Sequence, residues 1–321
     1  RITFEAAYYH QKTTDQTVNV SIPRSTGAST MYVNAGTMTG QGVELDLRLT
    51  PLLDFGDFYW NVYANATFAT SMVTELYGDL DELTVYSPIY AIEGMPYPYI
   101  KATDWVRDPE GRVIVDEETG LPTLGDLVPM GQTEPKVRLG LSTELAWKGL
   151  SLSATFEYRG GHVVRFDSES EMLFSGASIA SVVAGRQRFV FPNSVIEKTD
   201  ENGNVYYEEN KNITVNSGGK DFWTGVYRSG VAARVISANS WKLREVALTW
   251  NLPARWMEKS KVFQSAAVSL VGRNLFYWVP DTNVWGDPDM WNGTGSANAP
   301  GIVANTMAGY RTFGFNINLT F

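Results

Sequence analysis

Few residues in this chain have the types and spacing that catalysis or metal binding requires. The 321 residues include no cysteine and two histidines, His10 and His162. A thiolate nucleophile and a thiolate metal site are therefore excluded, and any histidine chemistry would depend on these two positions. Both lie in or beside segments that we predict to be loops, where we expect solvated side chains without a catalytic role.

Pairs of carboxylates are the remaining candidates for acid–base chemistry, and Asp287 and Asp289 form one such pair. Glycoside hydrolysis needs two carboxyl groups at a defined separation in space, which sequence spacing does not supply, and such pairs more often cap a turn. The chain also contains neither a Gly-x-Ser-x-Gly nucleophile elbow nor a phosphate-binding Gly-x-x-x-x-Gly-Lys loop. We therefore predict that the protein is not an enzyme.

The sequence gives little support for the binding of a metal or a cofactor. The runs 108–112 and 200–204 carry several side-chain oxygens, but they lack the regular spacing and the terminal bidentate Glu of a calcium loop. Their Gly and Asn residues are typical of tight turns. We expect turns at both places, with neither a metal nor a cofactor.

The composition excludes two further classes of protein. Lys and Arg number 26 and Asp and Glu 35, a formal charge of −9, which argues against a nucleic-acid binder because nothing offsets the charge of a phosphate backbone. The mean hydropathy is −0.18, and no apolar run approaches the roughly 18 residues of a membrane-spanning helix. Transmembrane β-strands stay compatible with this value, because their alternating pattern averages to a neutral hydropathy.

Eight segments alternate apolar and polar residues with a period of two, the pattern of a strand with one apolar face. The last segment alternates without an error, with Phe313, Phe315, Ile317, Leu319 and Phe321 on one face. The other seven lie near residues 2–8, 43–50, 60–68, 137–148, 150–159, 245–252 and 268–278. The chain opens inside a strand and without a signal peptide, so we expect a piece of a longer protein whose first strand pairs outside this sequence.

The connections between these segments are alternately long and short. The short ones lie near 51–57, 148–149 and 253–264, and the long ones near 10–42, 73–135, 160–237 and 279–308. Long loops are unusual in a compact soluble domain, whereas outer-membrane barrels have short periplasmic turns and long extracellular loops. Aromatic residues at the strand ends are typical of interfacial girdles, although ordinary core aromatics would look alike.

Two fold predictions follow from this pattern. The first is an antiparallel all-β transmembrane barrel portion of about eight strands, open by itself, in which charged residues such as Glu44, Asp46 and Arg48 face a wet lumen. The alternative is a soluble antiparallel sheet with a solvated polar face, acting as a carbohydrate-binding protein. A barrel piece would need detergent for solubility, and the soluble sheet would not.

Four motifs, in order, carry a resemblance to a known family. They are the Asn-x-Gly turn and Gly-x-Glu-Leu strand of 34–45, the Gly-Asp to Pro-Lys segment of 125–136 with the Lys-Gly-Leu turn of 148–150, the Leu-Arg strand ending in Asn-Leu-Pro at 243–253, and the Asn-Leu-Phe of 274–276 followed by Asp287-Pro288. With them the chain resembles the C-terminal part of the SusC/RagA family of TonB-dependent outer-membrane transporters of Bacteroidetes. The stretch 94–98 matches the family's Gly-x-Pro loop only in part, and the usual Asp-x-Asn-Gly-Asp run before Pro135 is missing.

The resemblance implies a transporter of 22 strands with a plug in its lumen, of which this chain, residues 1–321, would supply the last eight strands. It implies TonB-energised import of oligosaccharides, or as second choice of peptides, across the outer membrane, together with a SusD-like surface lipoprotein. The plug and the TonB-binding segment would lie upstream of this sequence.

Loop aromatics are the candidate substrate-binding residues, because aromatic rings stack on sugars. The candidates are Tyr97, Tyr99, Trp223, Trp285 and Trp291, together with Asp287. For each aromatic residue, packing within its own loop is the alternative. In outer-membrane barrels, which the chain resembles, a final strand that ends in an aromatic residue is the assembly signal, and we predict that role for Phe321. A strand of this kind can add to an open sheet edge by main-chain hydrogen bonds; the alternative is a girdle residue.

Overall fold

The computed structural model of the chain describes residues 1–21, 24–34, 36–78, 80–215, 219–260, 262–289, 300–304 and 309–321. Its main element is one antiparallel sheet of eight strands, each paired with the next strand of that sheet along the chain. The strands are β1 (Ile2–Thr13), β2 (Gly36–Phe55), β3 (Phe58–Leu76), β4 (Val137–Trp147), β5 (Leu150–Gly160), β6 (Ser240–Asn251), β7 (Ser265–Trp278) and β8 (Thr312–Thr320). We call this the main sheet.

The main sheet confirms the predicted all-β antiparallel fold, and it is open, as expected. Strand β1 pairs with β2 and β8 pairs with β7, and among the described residues these two edge strands do not pair with each other. Several strands run beyond the segments that alternation indicated, since β2 and β3 have 20 and 19 residues. Register shifts at both ends of their pairing interrupt the alternation of apolar and polar residues. The sequence pattern therefore did not indicate the outer parts of these two strands.

The pairing register places the apolar residues of all eight strands on one face. Leu141 lies opposite Ala64 and Phe156, and farther along the sheet Leu270 lies opposite Leu248 and Phe315. Because the side-chain period of a strand is two, one register fixes the face of every residue. Large side chains of this face are exposed, among them Leu141, Leu270 and Phe315.

The short connections hold little structure. Lys148 and Gly149 join β4 to β5 with φ of 48° and 84°, the left-handed pair that a two-residue hairpin turn requires. A helix, Ala254–Ser260, fills the connection from β6 to β7. No helix within the described ranges is long and apolar enough to cross a membrane.

The long connections contain their own secondary structure. The first has the strands Thr17–Ser21 and Thr30–Asn34 around a 3-10 turn, Arg24–Thr26. The second has the strands Glu82–Tyr86, Ile89–Ile92, Tyr99–Trp105, Val113–Ile114 and Leu124–Gln132. The third has the strands Val163–Phe166, Ser194–Thr199, Val205–Glu209 and Val235–Ser237, the α-helix Ser168–Ser175, and shorter helical segments at Ile179–Val182, Phe222–Val226, Tyr227–Ser229 and Val231–Arg234. The fourth has the strand Ile302–Val303.

Three of these connections join into one unit, which we call the loop body. Ser194 and Val195 of the third connection pair in parallel with Val113 and Ile114 of the second. The strand Val163–Phe166 of the third pairs in parallel with Ile302–Val303 of the fourth. The loop body also contains most of the buried apolar residues, including Ile89, Ile100, Leu173, Val195 and Phe222. The hydrophobic core of this chain therefore lies beside the main sheet and not on its apolar face.

Candidate functional site

A cavity of about 740 Å³ lies between β6, β7 and the described parts of the third and fourth long connections. Aromatic residues form one part of its lining: Phe166, Phe276, Tyr277, Trp285 and Tyr310. Charged residues of both signs form another: Glu169, Lys242, Arg244, Asp287, Asp289 and Arg311. A concave site that combines apolar surface with a few polar groups is the usual form of a ligand-binding pocket.

A β-bulge in β6 brings two cations to this cavity. Lys242 lies opposite Glu157 and Glu245 lies opposite Thr155, which leaves Arg244 as an extra residue between the paired positions. A bulge of this kind re-aims a side chain. Arg244 Nε consequently lies 2.5 Å from Glu157 Oε2, on the polar face of the main sheet with Lys242.

Four charged residues of the lining, Lys242, Arg244, Asp287 and Asp289, belong to a larger group beside the cavity. We call this group the ion-pair cluster, and its six members are Glu157, Arg159, Lys242, Arg244, Asp287 and Asp289. The main sheet supplies three cations and one carboxylate, and the fourth long connection supplies two carboxylates. Lys242 Nζ contacts Asp287 and lies 2.5 Å from Asp289 Oδ2. The positive and negative charges balance, which is what the partial burial of charged groups demands.

Asp289 is the centre of this cluster. Its carboxylate lies 2.8 Å from Arg244 Nη2 and 3.3 Å from Arg159 Nη1, in addition to its contact with Lys242. Burial by itself would raise the pKa of Asp289, but the hydrogen bond from Lys242 and the charges of Lys242 and Arg159 outweigh it, so that this pKa lies below its usual range. The Asp289 N–H also donates to Asp287 Oδ1 over 2.9 Å, which confirms that this pair caps a turn.

Trp285 lies just before these carboxylates and reaches the cavity. Its ring stacks on Phe166 with centroids 5.7 Å apart and planes 25° apart. On the other side of the cavity the Arg311 guanidinium lies 5.4 Å from the centre of the Phe276 ring, a cation–π contact. The cavity therefore offers ring faces together with hydrogen-bond donors and acceptors.

Of the predicted binding residues, the structure brings two together at the cavity. Trp285 and Asp287 line it, and Asp287 contacts Lys242. Trp291 lies outside the described residues. Contact of any of these residues with a ligand stays a prediction.

The other three predicted residues lie elsewhere in the loop body. Tyr97 packs against the buried cluster that contains Ile89 and Ile100, and burial raises its pKa. Tyr99 is a strand residue paired with Gln132. Trp223 packs among aromatic residues of its own connection: Phe189, Phe222 and Tyr227.

Several cavity residues were missed by the sequence analysis. Lys242 and Arg244 stood inside a recognised motif but were not assigned to the site. The signal was present, because the apolar alternation changes phase between Leu243 and Val246, and a phase change inside a strand indicates a bulge. Nothing local marks Phe166 or Arg311 as cavity residues.

The predicted exposure of the two histidines is correct for one residue and wrong for the other. His10 is exposed on β1. His162 is mostly buried just after β5, and burial lowers its pKa to about 4. The error arose because a loop that packs in a larger unit buries its residues, which a loop assignment alone does not reveal.

The two oxygen-rich runs form turns, as expected. Asp108 accepts hydrogen bonds from the backbone and side chain of Arg112. Asp200 accepts backbone hydrogen bonds from Asn202 and Asn204, each over 2.8 Å. No group of three or more possible metal ligands occurs within the part of the chain that the structure describes.

Comparison with known proteins finds no matching family model. A TonB-dependent receptor, P26 of Formosa agariphila, is 24% identical over 346 aligned positions that cover 100% of this chain and 33% of the receptor. The RagAB peptide importer in its closed-closed state matches with a TM-score of 0.69 and 19% identity, over 100% of this chain and 34% of the importer chain. A second RagAB peptide transporter structure gives a TM-score of 0.67 and 17% identity, over 100% of this chain and 33% of the other.

The chain thus spans about a third of the length of these relatives. It has the fold of the corresponding third of the RagAB transporter chains, and its sequence is similar throughout to a TonB-dependent receptor. The resemblance inferred from the four motifs is confirmed.

Proposed function

We propose that the complete protein imports a nutrient across the outer membrane of a Gram-negative bacterium, with energy from the TonB system. In this proposal the present chain forms the last eight strands of the barrel and four of its extracellular loops. The observation that carries the proposal is the exposed apolar face that runs across all eight strands of the main sheet, opposite a polar face with a cavity.

The exposed face has the chemistry of a lipid contact. The side chain of Phe313 is 77% exposed and that of Leu248 is 40% exposed, although both lie on the apolar face. Contiguous apolar surface on this scale marks a contact with a partner or a membrane. In a bilayer such strands persist only when every backbone group is bonded, so β1 and β8 require partner strands. The upstream part of a 22-stranded barrel, with its plug, would supply them.

The soluble carbohydrate-binding sheet, which the sequence left as an alternative, accounts less well for this face. A soluble sheet would bury its apolar side under a second layer, but the loop body lies elsewhere. The relatives are a receptor and transporters by name, which favours a binding and gating role over catalysis.

The orientation follows from the connections. Between the strand bounds the long ones span 14–35, 77–136, 161–239 and 279–311, close to the ranges expected from the sequence. We place all four outside the cell and the three short ones at the periplasm. The loop body would then form part of the extracellular mouth, where a SusD-like lipoprotein would bind.

The substrate class we propose is an oligosaccharide, with peptides as the second candidate. The aromatic lining of the cavity, with Trp285 and Tyr310, supports stacking on sugar rings, and its paired charges suit the polar groups of either class. The RagAB proteins are described as peptide importers, so peptides are the second substrate class that an uptake experiment has to include.

Uptake by cells that express the complete protein tests this function. Labelled oligosaccharide and peptide panels are offered to these cells, to a deletion strain and to cells treated with a proton uncoupler. We expect the protein in the detergent-soluble outer-membrane fraction, and accumulation of one class that stops in both control cells. Protein recovered without detergent, or uptake that the uncoupler leaves unchanged, would contradict the proposal.

A further inference from the structure

Two motifs that the sequence analysis singled out meet in space, although 45 residues separate Lys242 from Asp287. We infer that their meeting is a clamp: the ion-pair cluster fixes the segment 280–289 against the main sheet and thereby holds Trp285 at the cavity. Lys242 is then a positioning residue of the binding site. The cavity's use for a ligand rests on the proposed function, whereas the clamp itself does not.

The main sheet presents its cations in a fixed arrangement. Glu157 lies between two arginines, because its Oε1 is 2.5 Å from Arg159 Nε and its Oε2 is 2.5 Å from Arg244 Nε. Each arginine therefore keeps its remaining N–H groups free to turn toward Asp289. These side chains arise from two paired strands, β5 and β6, so the sheet fixes the separation of their backbones.

A hydrogen bond within the segment 280–289 orients its two carboxylates. The Asp289 N–H donates to Asp287 Oδ1, which places both carboxylates on the same side, facing Lys242. The Lys242 side chain is 5% exposed. An ammonium so far from water is stable only with its carboxylate partners, so the segment and Lys242 require each other.

Asn283 holds the turn around Trp285 in shape. Its Oδ1 accepts the N–H groups of Trp285 and Gly286, each over 3.1 Å, and its Nδ2 donates to Gly286 O over 2.7 Å. These bonds all lie within residues 283–286, so Asn283 shapes the turn that carries Trp285, and the ion-pair cluster attaches this turn to the main sheet. Loss of the cluster would then free the ring from its place beside Phe166.

Hydrogen exchange of the complete protein tests the clamp without any ligand. The reporters are the amides of Trp285, Gly286 and Asp289, which are bonded within the segment. In Lys242→Met, which keeps the length of the stem and removes the charge, we expect these amides to exchange at least tenfold faster. In Asp289→Asn, which leaves the main sheet intact, we expect the same acceleration at Trp285 and Gly286.

Arg273→Met is the matched control. Arg273 lies on the polar face of β7 and pairs with Glu245 over 2.7 Å, but its side chain is 64% exposed and it has no contact with the segment among the described residues. We expect unchanged exchange of the three reporters. Equal acceleration in this control, or unchanged reporters in Asp289→Asn, would overturn the clamp. If Lys242→Met fails to assemble, Asp289→Asn decides.

A second readout concerns the positioning role. With the panel member that the wild-type protein imports best, Lys242→Met and Asp289→Asn should raise the half-saturating concentration about tenfold and leave the maximal rate nearly unchanged. A loss of maximal rate alone would refute positioning. If the wild type imports no panel member, the proposed function fails, and the exchange data still decide the clamp.

Discussion

Leu141→Arg is the sharpest test of where the lipid lies. Leu141 is on the apolar face of β4, between Ala64 and Phe156, and its side chain is 40% exposed. It lies six residues before Trp147, where β4 ends. At a strand tilt of about 40° and about 3.3 Å per residue, six residues advance about 15 Å, near the middle of an apolar band about 25 Å tall.

The two readings of the apolar face predict different costs. If the exposed part of Leu141 meets lipid, the substitution loses the full transfer free energy of the side chain, about 2 kcal/mol. It also places a charge near the midplane, which costs a further ~2–4 kcal/mol. If the exposed part of Leu141 meets water, the substitution loses only the transfer free energy of the buried part of the side chain, about 1–2 kcal/mol. The charge then adds little cost, because the guanidinium reaches solvent.

Ser142→Arg is the matched control, because Ser142 is the next residue and faces the polar side. It shares a hydrogen bond of 3.1 Å with Thr155, whose loss costs about 1 kcal/mol. Denaturant unfolding of the complete protein in lipid vesicles gives both free energies of unfolding. We expect Leu141→Arg to be about 4–6 kcal/mol less stable than wild type. A difference between the two variants below about 1 kcal/mol would refute a lipid-facing Leu141.

Three further predictions concern other parts of the chain. Phe321→Ala should lose most of the protein from the outer membrane if Phe321 is an assembly signal, while Phe315→Ala is milder; equal abundance on membrane blots would rule the signal out. Gly120→Ala should open the loop body to proteases faster than Gly203→Ala. Both glycines have positive φ, 67° and 84°, so an alanine costs a similar backbone strain of about 1–2 kcal/mol at each position. A Cβ on Gly120, however, would lie 2.7 Å from the backbone carbonyl carbon of Thr214, whereas one on Gly203 would meet nothing within 4 Å. Similar cleavage rates would contradict the close approach of Gly120 to Thr214. His162 stays neutral in the folded protein down to a pKa of about 4 and takes up a proton near pH 6.5 when unfolded. Its contribution to stability is therefore present above pH 6.5 and lost as the pH falls to 4, by about 3 kcal/mol; unfolding curves of His162→Gln, which lacks the titrating group, should depend less on pH by that amount.

The alternation of single residues was enough to predict the main sheet. The last strand shows why: each of Phe313, Phe315 and Ile317 lies on one face, and a register slip of one residue would turn that face polar. The Lys148-Gly149 pair, with a left-handed conformation at both residues, joins neighbouring strands without help from the rest of the chain. The faces of the strands and the pairing of strands joined by short turns depend on such local rules, so the sequence by itself determined them.

The candidate site depends on contacts that no local rule contains. Arg159 and Asp289 are 130 positions apart, and they meet because two long connections pack together beside β5 and β6. The same packing buries His162, which alternation could not predict, and it separates Trp223 from Trp285, which composition alone had grouped. Which loop residues share a cavity is set by the free energy of burying apolar surface and pairing charges across the whole loop body. Only the tertiary structure decides it, because these contacts join residues that are far apart along the chain.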